Sequence, residues 1–234
     1  MIGLRGPVVV TGTDTGVGKT IVAAAISATA TAAGLRVAVV KPCQTGTASG
    51  EECDADTVAR LSAPAYSTTL ASYPDPLAPA TAARIAGLPL LELDTVVDAA
   101  RSLSHTHDLV LIEGAGGALV SMGHNDWTVI DLATALSAPV ILVARAGLGT
   151  LNHTALSRLA LSRQGIRDHV VIGAWPAEPQ LVHRTNMHDL PPLAGLLPAG
   201  AGSLHPTDFR QRAQKWLTTE LHGELRLGPG NQPL

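Results

Sequence analysis

The residues with the clearest chemical meaning lie near the amino terminus, in Gly12-Thr13-Asp14-Thr15-Gly16-Val17-Gly18-Lys19-Thr20. The run follows Val8-Val9-Val10 and opens an Ala-rich stretch. A glycine-rich turn between strand and helix aims backbone N–H groups and the positive end of the helix dipole at an anion. Lys19 adds a full charge, and Thr20 a hydroxyl for a Mg2+ that bridges phosphate oxygens. One residue breaks the usual spacing. A phosphate loop carries glycine five residues ahead of the Gly18 position, where Thr13 stands, and Gly12 comes one residue early. A dinucleotide-binding turn is the competing possibility. It requires an acidic residue at the end of the second strand, and Lys41 is there instead.

Further along, Glu113 closes the apolar run Leu109-Val110-Leu111-Ile112. A carboxylate at the end of a buried strand is costly unless paired or bound to metal, and its place matches the Walker B acid. Asp54 and Asp56 open a short helical stretch, where either could serve the metal or simply favour the helix dipole. Lys41, held between a strand and Pro42, is placed to neutralise a phosphate or a carbamate. His153 opens a helix beside Asn152, and His105 and His107 lie on an exposed turn; none of the three is assigned a role.

These residues need a scaffold, and the hydrophobic pattern supplies one. Buried strands are expected over 7–11, 37–40, 109–113, 139–144, 170–173 and 193–197. Helices are expected over 20–33, 54–61, 80–86, 92–103, 127–136, from about 150 to 164, and over 207–221. Residues 43–53 and 114–117 read as loops, and 66–79, with Pro74, Pro76 and Pro79, as an extended or looped crossover. Residues 228–234 read as a disordered Gly/Pro tail. Alternating strands and helices imply one domain over 1–227, a doubly wound, mainly parallel α/β sheet with helices on both faces, of the P-loop NTPase type. Ligands then bind at the carboxyl ends of the strands.

The 234 residues are 46% hydrophobic but only 3% aromatic, so the core is built from Ala, Val, Leu and Ile. A net charge of −3 without a basic stripe argues against nucleic acid as a partner. Two cysteines, Cys43 and Cys53, are too few for a disulfide framework and fit free thiols in a reducing compartment. No secretory leader and no apolar run of membrane length is visible, so a soluble, cytoplasmic protein without a membrane partner is expected.

Together, Gly12 to Thr20, Lys41-Pro42-Cys43-Gln44-Thr45-Gly46, Glu113-Gly114-Ala115-Gly116-Gly117 and Gly149-Thr150-Leu151-Asn152-His153 resemble the dethiobiotin synthetase family in order and spacing, over roughly residues 7–204. The family's phosphate loop has an extra residue, which accounts for Thr13. The resemblance implies an ATP- and Mg2+-dependent cyclo-ligase. It would join 7,8-diaminopelargonic acid and CO2 into a cyclic urea through a carbamate and a carbamic–phosphoric mixed anhydride. It further implies that Gly16, Val17, Gly18, Lys19, Thr20 and Ile21 wrap the phosphates, and that Thr20, Asp54 and Glu113 hold the Mg2+. Asp54 is preferred to Asp56 because Asp54-Ala55 matches the family's Asp-Ala element. Gly114, Ala115 and Gly116 would complete the nucleotide side. Thr15, Lys41 and Thr45 would hold the diamine, its carbamate and the phosphoryl group, with Lys41, Lys19 and Thr15 catalytic. The turn formed by Gly149, Thr150, Leu151 and Asn152 would receive the substrate carboxylate from the second subunit of a homodimer.

One departure concerns the base. Many members carry an Asn after the fifth strand to read adenine; here Gly173-Ala174-Trp175-Pro176 replaces it. Backbone groups near Gly173, Ala174, Pro198, Ala199 and Gly200 would then hold the base, leaving other nucleoside triphosphates as possible co-substrates. The alternative function is a ParA/MinD-like nucleotide-switch ATPase. That class carries a lysine where Asp14 stands, and often a membrane-binding tail; this chain shows neither. An amidotransferase-linked synthetase of cobalamin biosynthesis shares the loop but would need a further glutaminase domain.

Overall fold

The computed structural model describes residues 3–50 and 52–231. Seven parallel strands form one sheet in the order β3-β2-β4-β1-β5-β6-β7. They are β1 (Gly6–Gly12), β2 (Val37–Gln44), β3 (Tyr66–Ser72), β4 (Leu109–Gly117), β5 (Val140–Ala144), β6 (Asp168–Trp175) and β7 (Leu193–Pro198). The helices are α1 (Lys19–Ala32), α2 (Asp54–Ser62), α3 (Pro79–Ala86), α4 (Leu93–Ser104), α5 (Val129–Leu136), α6 (Thr150–Ser162), α7 (Leu181–Asp189) and α8 (Pro206–Ala213).

The two-residue period of the strands sorts their side chains between two layers. Val8, Val10, Val37, Val39, Leu109 and Leu111 pack with α1, α2 and α8. Val9, Ala38, Val40, Val110 and Ile112 pack with α3, α4 and α5 on the other face. Helix α1 is buried from Val22 to Ala30. A helix covered all round must be apolar all round, and its alanines let it lie close to the sheet. The doubly wound parallel sheet is therefore as expected, and the phosphate loop is held between buried Val8 to Thr11 of β1, paired with β4 and β5, and the buried body of α1 from Val22 onward.

Several boundaries differ from the sequence pattern. Residues 66–72, expected as part of a crossover, form the edge strand β3, paired with β2 from Ala38↔Tyr66 to Gln44↔Ser72. Its Ser67, Thr68 and Thr69 are half-buried and Ser72 exposed, so it lacks the apolar run that marks the central strands. Strand β2 continues through Lys41-Pro42 to Gln44, because its ladder to β4 ends at Val40 and Pro42 lies beyond it. Strand β4 likewise continues to Gly117, and β6 spans more than its apolar centre. The expected helix over 207–221 breaks after Ala213 into short 3-10 turns, and Leu217 forms an antiparallel bridge with Gly195 of β7.

The tail expected to be disordered has a defined place as far as Asn231. The Asn231 Oδ1 accepts from Leu193 N at 2.8 Å, and its Nδ2 donates to Met187 O, Leu190 O and Pro191 O. One buried amide thus holds a Gly/Pro-rich segment that composition alone marks as unstructured. Residues 232–234 lie outside the described residues. Cys43 and Cys53 are both free, and no described helix is long and apolar enough to cross a membrane.

Candidate active site

The turn between β1 and α1 is shaped by glycines with little freedom to be anything else. Gly18 has φ +97° at the N-cap of α1, and Gly16 has φ +70°. A Cβ on Gly12 would come within 2.7 Å of Val17 Cγ2 and 2.9 Å of Asp14 O. The glycine that seemed one residue early is therefore the one the loop's own backbone requires. From β6, Gly173 packs so closely that a Cβ there would lie 2.0 Å from Val17 O. Asp14 braces the loop: its Oδ1 accepts from Thr15 N, and its Oδ2 from Arg145 at the end of β5, both at 2.7 Å.

Lys19 leaves the first turn of α1 and donates to Asp14 O at 3.0 Å. Beside it, Thr20 Oγ1 donates to Asp54 Oδ1 at 3.0 Å and Glu113 Oε1 at 2.8 Å. Lys41, from β2, reaches the same carboxylates: its Nζ lies 2.5 Å from Asp54 Oδ2 and 2.9 Å from Glu113 Oε1, and donates to Gly114 O at 3.2 Å. Strands β2 and β4 and the starts of helices α1 and α2 thus converge on one cluster of charges. Asp54, at the start of α2, is held from behind by Gln44 Oε1, which accepts from its N–H. Asp56 is exposed on the same helix.

The charges shift one another. Burial lowers the pKa of Lys19, and neighbouring Lys41 adds to the effect. Burial also opposes the charge on Lys41, but Glu113 and Asp54 outweigh it and hold its pKa above the usual lysine value. For Asp54 burial is outweighed by Lys41, and its pKa falls. For Glu113 burial prevails, reinforced by Asp54 and opposed by Lys41, and its pKa rises. A lysine ammonium between two carboxylates marks a spot whose potential favours a cation.

Among the described residues no group of three or more His, Cys, Asp and Glu gathers to hold a metal. The donors here are two carboxylates and a hydroxyl, each carboxylate within hydrogen-bond reach of the hydroxyl. That set fits Mg2+, which takes one or two carboxylates and completes its shell with phosphate oxygens and water. The surrounding cleft has a volume of about 750 Å3. Pro76, Leu77, Ala78 and Pro79 also line it, so the proline-rich crossover shares the cleft with the phosphate loop.

A family model described as an AAA domain matches residues 7–199. The ATP-dependent dethiobiotin synthetase BioD of Rhodococcus jostii is 52% identical over 214 residues, covering 89% of this chain and 93% of the relative. The enzyme of that name from Streptomyces avermitilis is 52% identical over 221 residues, covering 92% and 93%. The chain belongs to the dethiobiotin synthetase family. It is accordingly an enzyme, an ATP-dependent ligase. Among solved structures, the cell-division ATPase MinD of Pyrococcus furiosus has a TM-score of 0.54 at 16% identity, covering 90% of this chain and 98% of that one. A plasmid partition protein of Borrelia burgdorferi has the same TM-score at 12% identity, covering 89% and 96%. At those identities only the fold is shared.

The residues implied by the family resemblance fall into three places. Thr15, Gly16, Gly18, Lys19, Thr20, Ile21, Lys41, Thr45, Asp54, Glu113, Ala115 and Gly116 all line the one cleft. Val17 is buried beneath the loop, and Gly114 contributes its carbonyl to Lys41. Gly173 and Ala174 lie beside the 198–200 turn, where Ala199 N donates to Trp175 O at 2.7 Å, next to the phosphate loop rather than in the cleft. The Gly149 turn does not line the cleft of its own chain. The chain just before it is braced by Asn186, whose Nδ2 donates to Ala146 O and Gly147 O, both at 3.0 Å, while Leu151 and Asn152 are exposed. Cleft residues with no site role in the sequence reading are Cys43, Gln44 and Val120, and the cleft also takes in 76–79, part of a crossover whose role, connector or pocket wall, the sequence leaves open. Gln44 was within reach, because it lies inside the Lys41 to Gly46 motif of the family.

Proposed function

We propose that this chain converts 7,8-diaminopelargonic acid (7,8-diaminononanoate), CO2 and ATP to dethiobiotin, ADP and phosphate. One amine of the diamine adds to CO2 and loses a proton to give a carbamate. A carbamate oxygen attacks the γ-phosphorus as the bond to ADP breaks, giving a carbamic–phosphoric mixed anhydride. The second amine then attacks the carbamoyl carbon, loses a proton and expels phosphate as the ring closes. No protein nucleophile takes part. The demand is for positioning and for positive charge beside accumulating negative charge.

The observation that carries this reading is Lys41. A buried ammonium on β2, 2.9 Å from Glu113 and lining the same cleft as Lys19, supports the reading because a carbamate and a γ-phosphate meeting there would have a cation each. Lys19 and the loop N–H groups would hold the phosphates, and Thr15 and Thr45 would orient the diamine end. Thr20, Asp54 and Glu113 would hold Mg2+, which when bound neutralises charge between phosphate oxygens. The Gly149 turn would receive the substrate carboxylate of a partner subunit. Support for a homodimer comes from exposed leucines near it: Leu148 is 86%, Leu119 71% and Leu156 57% exposed.

A coupled phosphate-release assay with diamine, bicarbonate, ATP and Mg2+ tests the proposal. Release that depends on both diamine and bicarbonate, with a cyclic urea found by mass spectrometry, is the expected result. Release without the diamine would instead point to a nucleotide switch.

A further inference from the structure

Gln44 lines the active cleft but has no part in the reaction proposed for it. It is the last residue of β2, paired with Ser72 of β3, and its carbonyl accepts from Tyr73 N at 2.9 Å. The sheet therefore fixes the point from which its side chain departs. Both ends of its amide are used. The Oε1 accepts from Asp54 N at 3.1 Å, ten positions along the chain, and the Nε2 donates to Thr45 O at 3.2 Å.

The bond to Asp54 meets a need of α2. The first N–H groups of a helix have no partner inside it, and the N-cap side chain usually supplies one. Here the N-cap is Cys53, which makes no side-chain cap bond. Gln44 reaches the helix start from a strand instead. It holds the N–H of the same residue whose carboxylate meets Thr20 and Lys41. Helical residues advance by about 100° each, so Asp54 and Asp56 point about 160° apart. A first turn that frayed or rotated would carry the Asp54 carboxylate off the cluster. The body of α2 is held by other groups: Ser67 Oγ donates to Ala55 O at 3.0 Å, and Glu52 accepts from Thr57 Oγ1 and from two nitrogens of Arg60. Loss of the glutamine would loosen the first residue and leave the helix in place. We propose that Gln44 is a positioning residue for the divalent cation, holding Asp54 where it can ligate Mg2+ together with Thr20 and Glu113. This role rests on the reading that those three residues hold Mg2+. Groups that orient a metal ligand typically contribute about ten- to a hundredfold to metal affinity.

Titration of the full chain with Mn2+ in the presence of AMP-PNP, followed by electron paramagnetic resonance, tests this. Gln44→Met keeps the side-chain length and removes both bonds. Its Mn2+ affinity should fall by about tenfold or more, while AMP-PNP affinity in EDTA and far-UV circular dichroism stay as in the wild type. Gln44→Asn, which keeps the amide but falls short of Asp54, should show the same loss. Hydrogen exchange at the Asp54 amide, followed by NMR, should quicken in both variants. Asp54→Asn should itself weaken Mn2+, and adding Gln44→Met to it should cost nothing further, because the glutamine acts through that carboxylate. A general structural role would make the two losses add. Unchanged Mn2+ affinity in Gln44→Met, additive losses, or unaltered exchange at Asp54 would each overturn the proposal. Wild-type Mn2+ affinity in Asp54→Asn would instead overturn the assignment of the metal to Asp54, and the role of Gln44 with it.

Discussion

Replacing Lys41 by Met tests the charge cluster most directly. Lys41 Nζ lies 2.9 Å from Glu113, whose side chain is 2% exposed, and 2.5 Å from Asp54, whose side chain is 32% exposed. The thioether keeps the volume and removes the charge. Asp54 can turn to water; Glu113 cannot. Breaking a buried pair from one side costs about 3–5 kcal/mol, and because Glu113 can take up a proton the lower end, about 3 kcal/mol, is expected. In a chain of this size that lowers Tm by about 6–12 °C. The pH dependence has a definite sign. Burial already raises the pKa of Glu113, and losing Lys41 removes the cation that opposes the rise. A raised pKa leaves stability intact below the unfolded value and removes it as pH climbs through the folded value. The deficit should therefore be small near the ordinary glutamate value of 4.5 and grow toward neutrality. Thermal unfolding of both proteins in EDTA between about pH 5 and 8 measures it, and Glu113→Gln in the Lys41→Met background should recover most of the loss. In the coupled assay the single variant should lose about a hundredfold or more in turnover. Equal Tm values across the range, or near-normal turnover, would refute the role given to Lys41.

Gly173→Ala should displace the phosphate loop, because its Cβ would lie 2.0 Å from Val17 O; kcat/KM for ATP should fall by about a hundredfold, with far-UV circular dichroism unchanged. Wild-type kinetics would contradict the contact. Burial pushes the Cys43 thiol up to about 12 and the residue is 1% exposed, so at pH 8 only about one molecule in ten thousand carries the thiolate. A thiol titration should count Cys53 alone in the native protein and both cysteines in guanidinium; rapid native labelling of both would show that Cys43 is accessible. With Gly173-Ala174 in place of a carboxamide side chain, ATP, CTP and GTP should differ by no more than about tenfold in kcat/KM. A preference of about a thousandfold for ATP would mean that another group reads the base.

The central strands and the phosphate loop are legible in the sequence because their causes are local. A β-branched run must be buried, and a glycine turn followed by Lys19-Thr20 has few other uses. Edge strand β3 is not legible, because a half-buried strand of Ser and Thr has no apolar pattern and is defined only by the ladder β2 offers it. The tail at 229–231 is hidden for a similar reason, since its order rests on Asn231 bonding to Met187, Leu190, Pro191 and Leu193 some 38 to 44 positions away. Residue types alone nominated Lys41, Asp54 and Glu113 but left Asp56 equally open. Tertiary structure separates them: α2 turns Asp54 toward Thr20 and Lys41 and Asp56 toward solvent. The sequence by itself thus determined the parallel sheet, the anion cradle and the identity of the charged groups, all set by neighbours along the chain. Only the folded chain decided that Gly12 and Gly173 must be glycine, that the 76–79 segment walls the cleft, and that one lysine lies between two carboxylates, because those depend on distances between residues that the chain brings together from far apart.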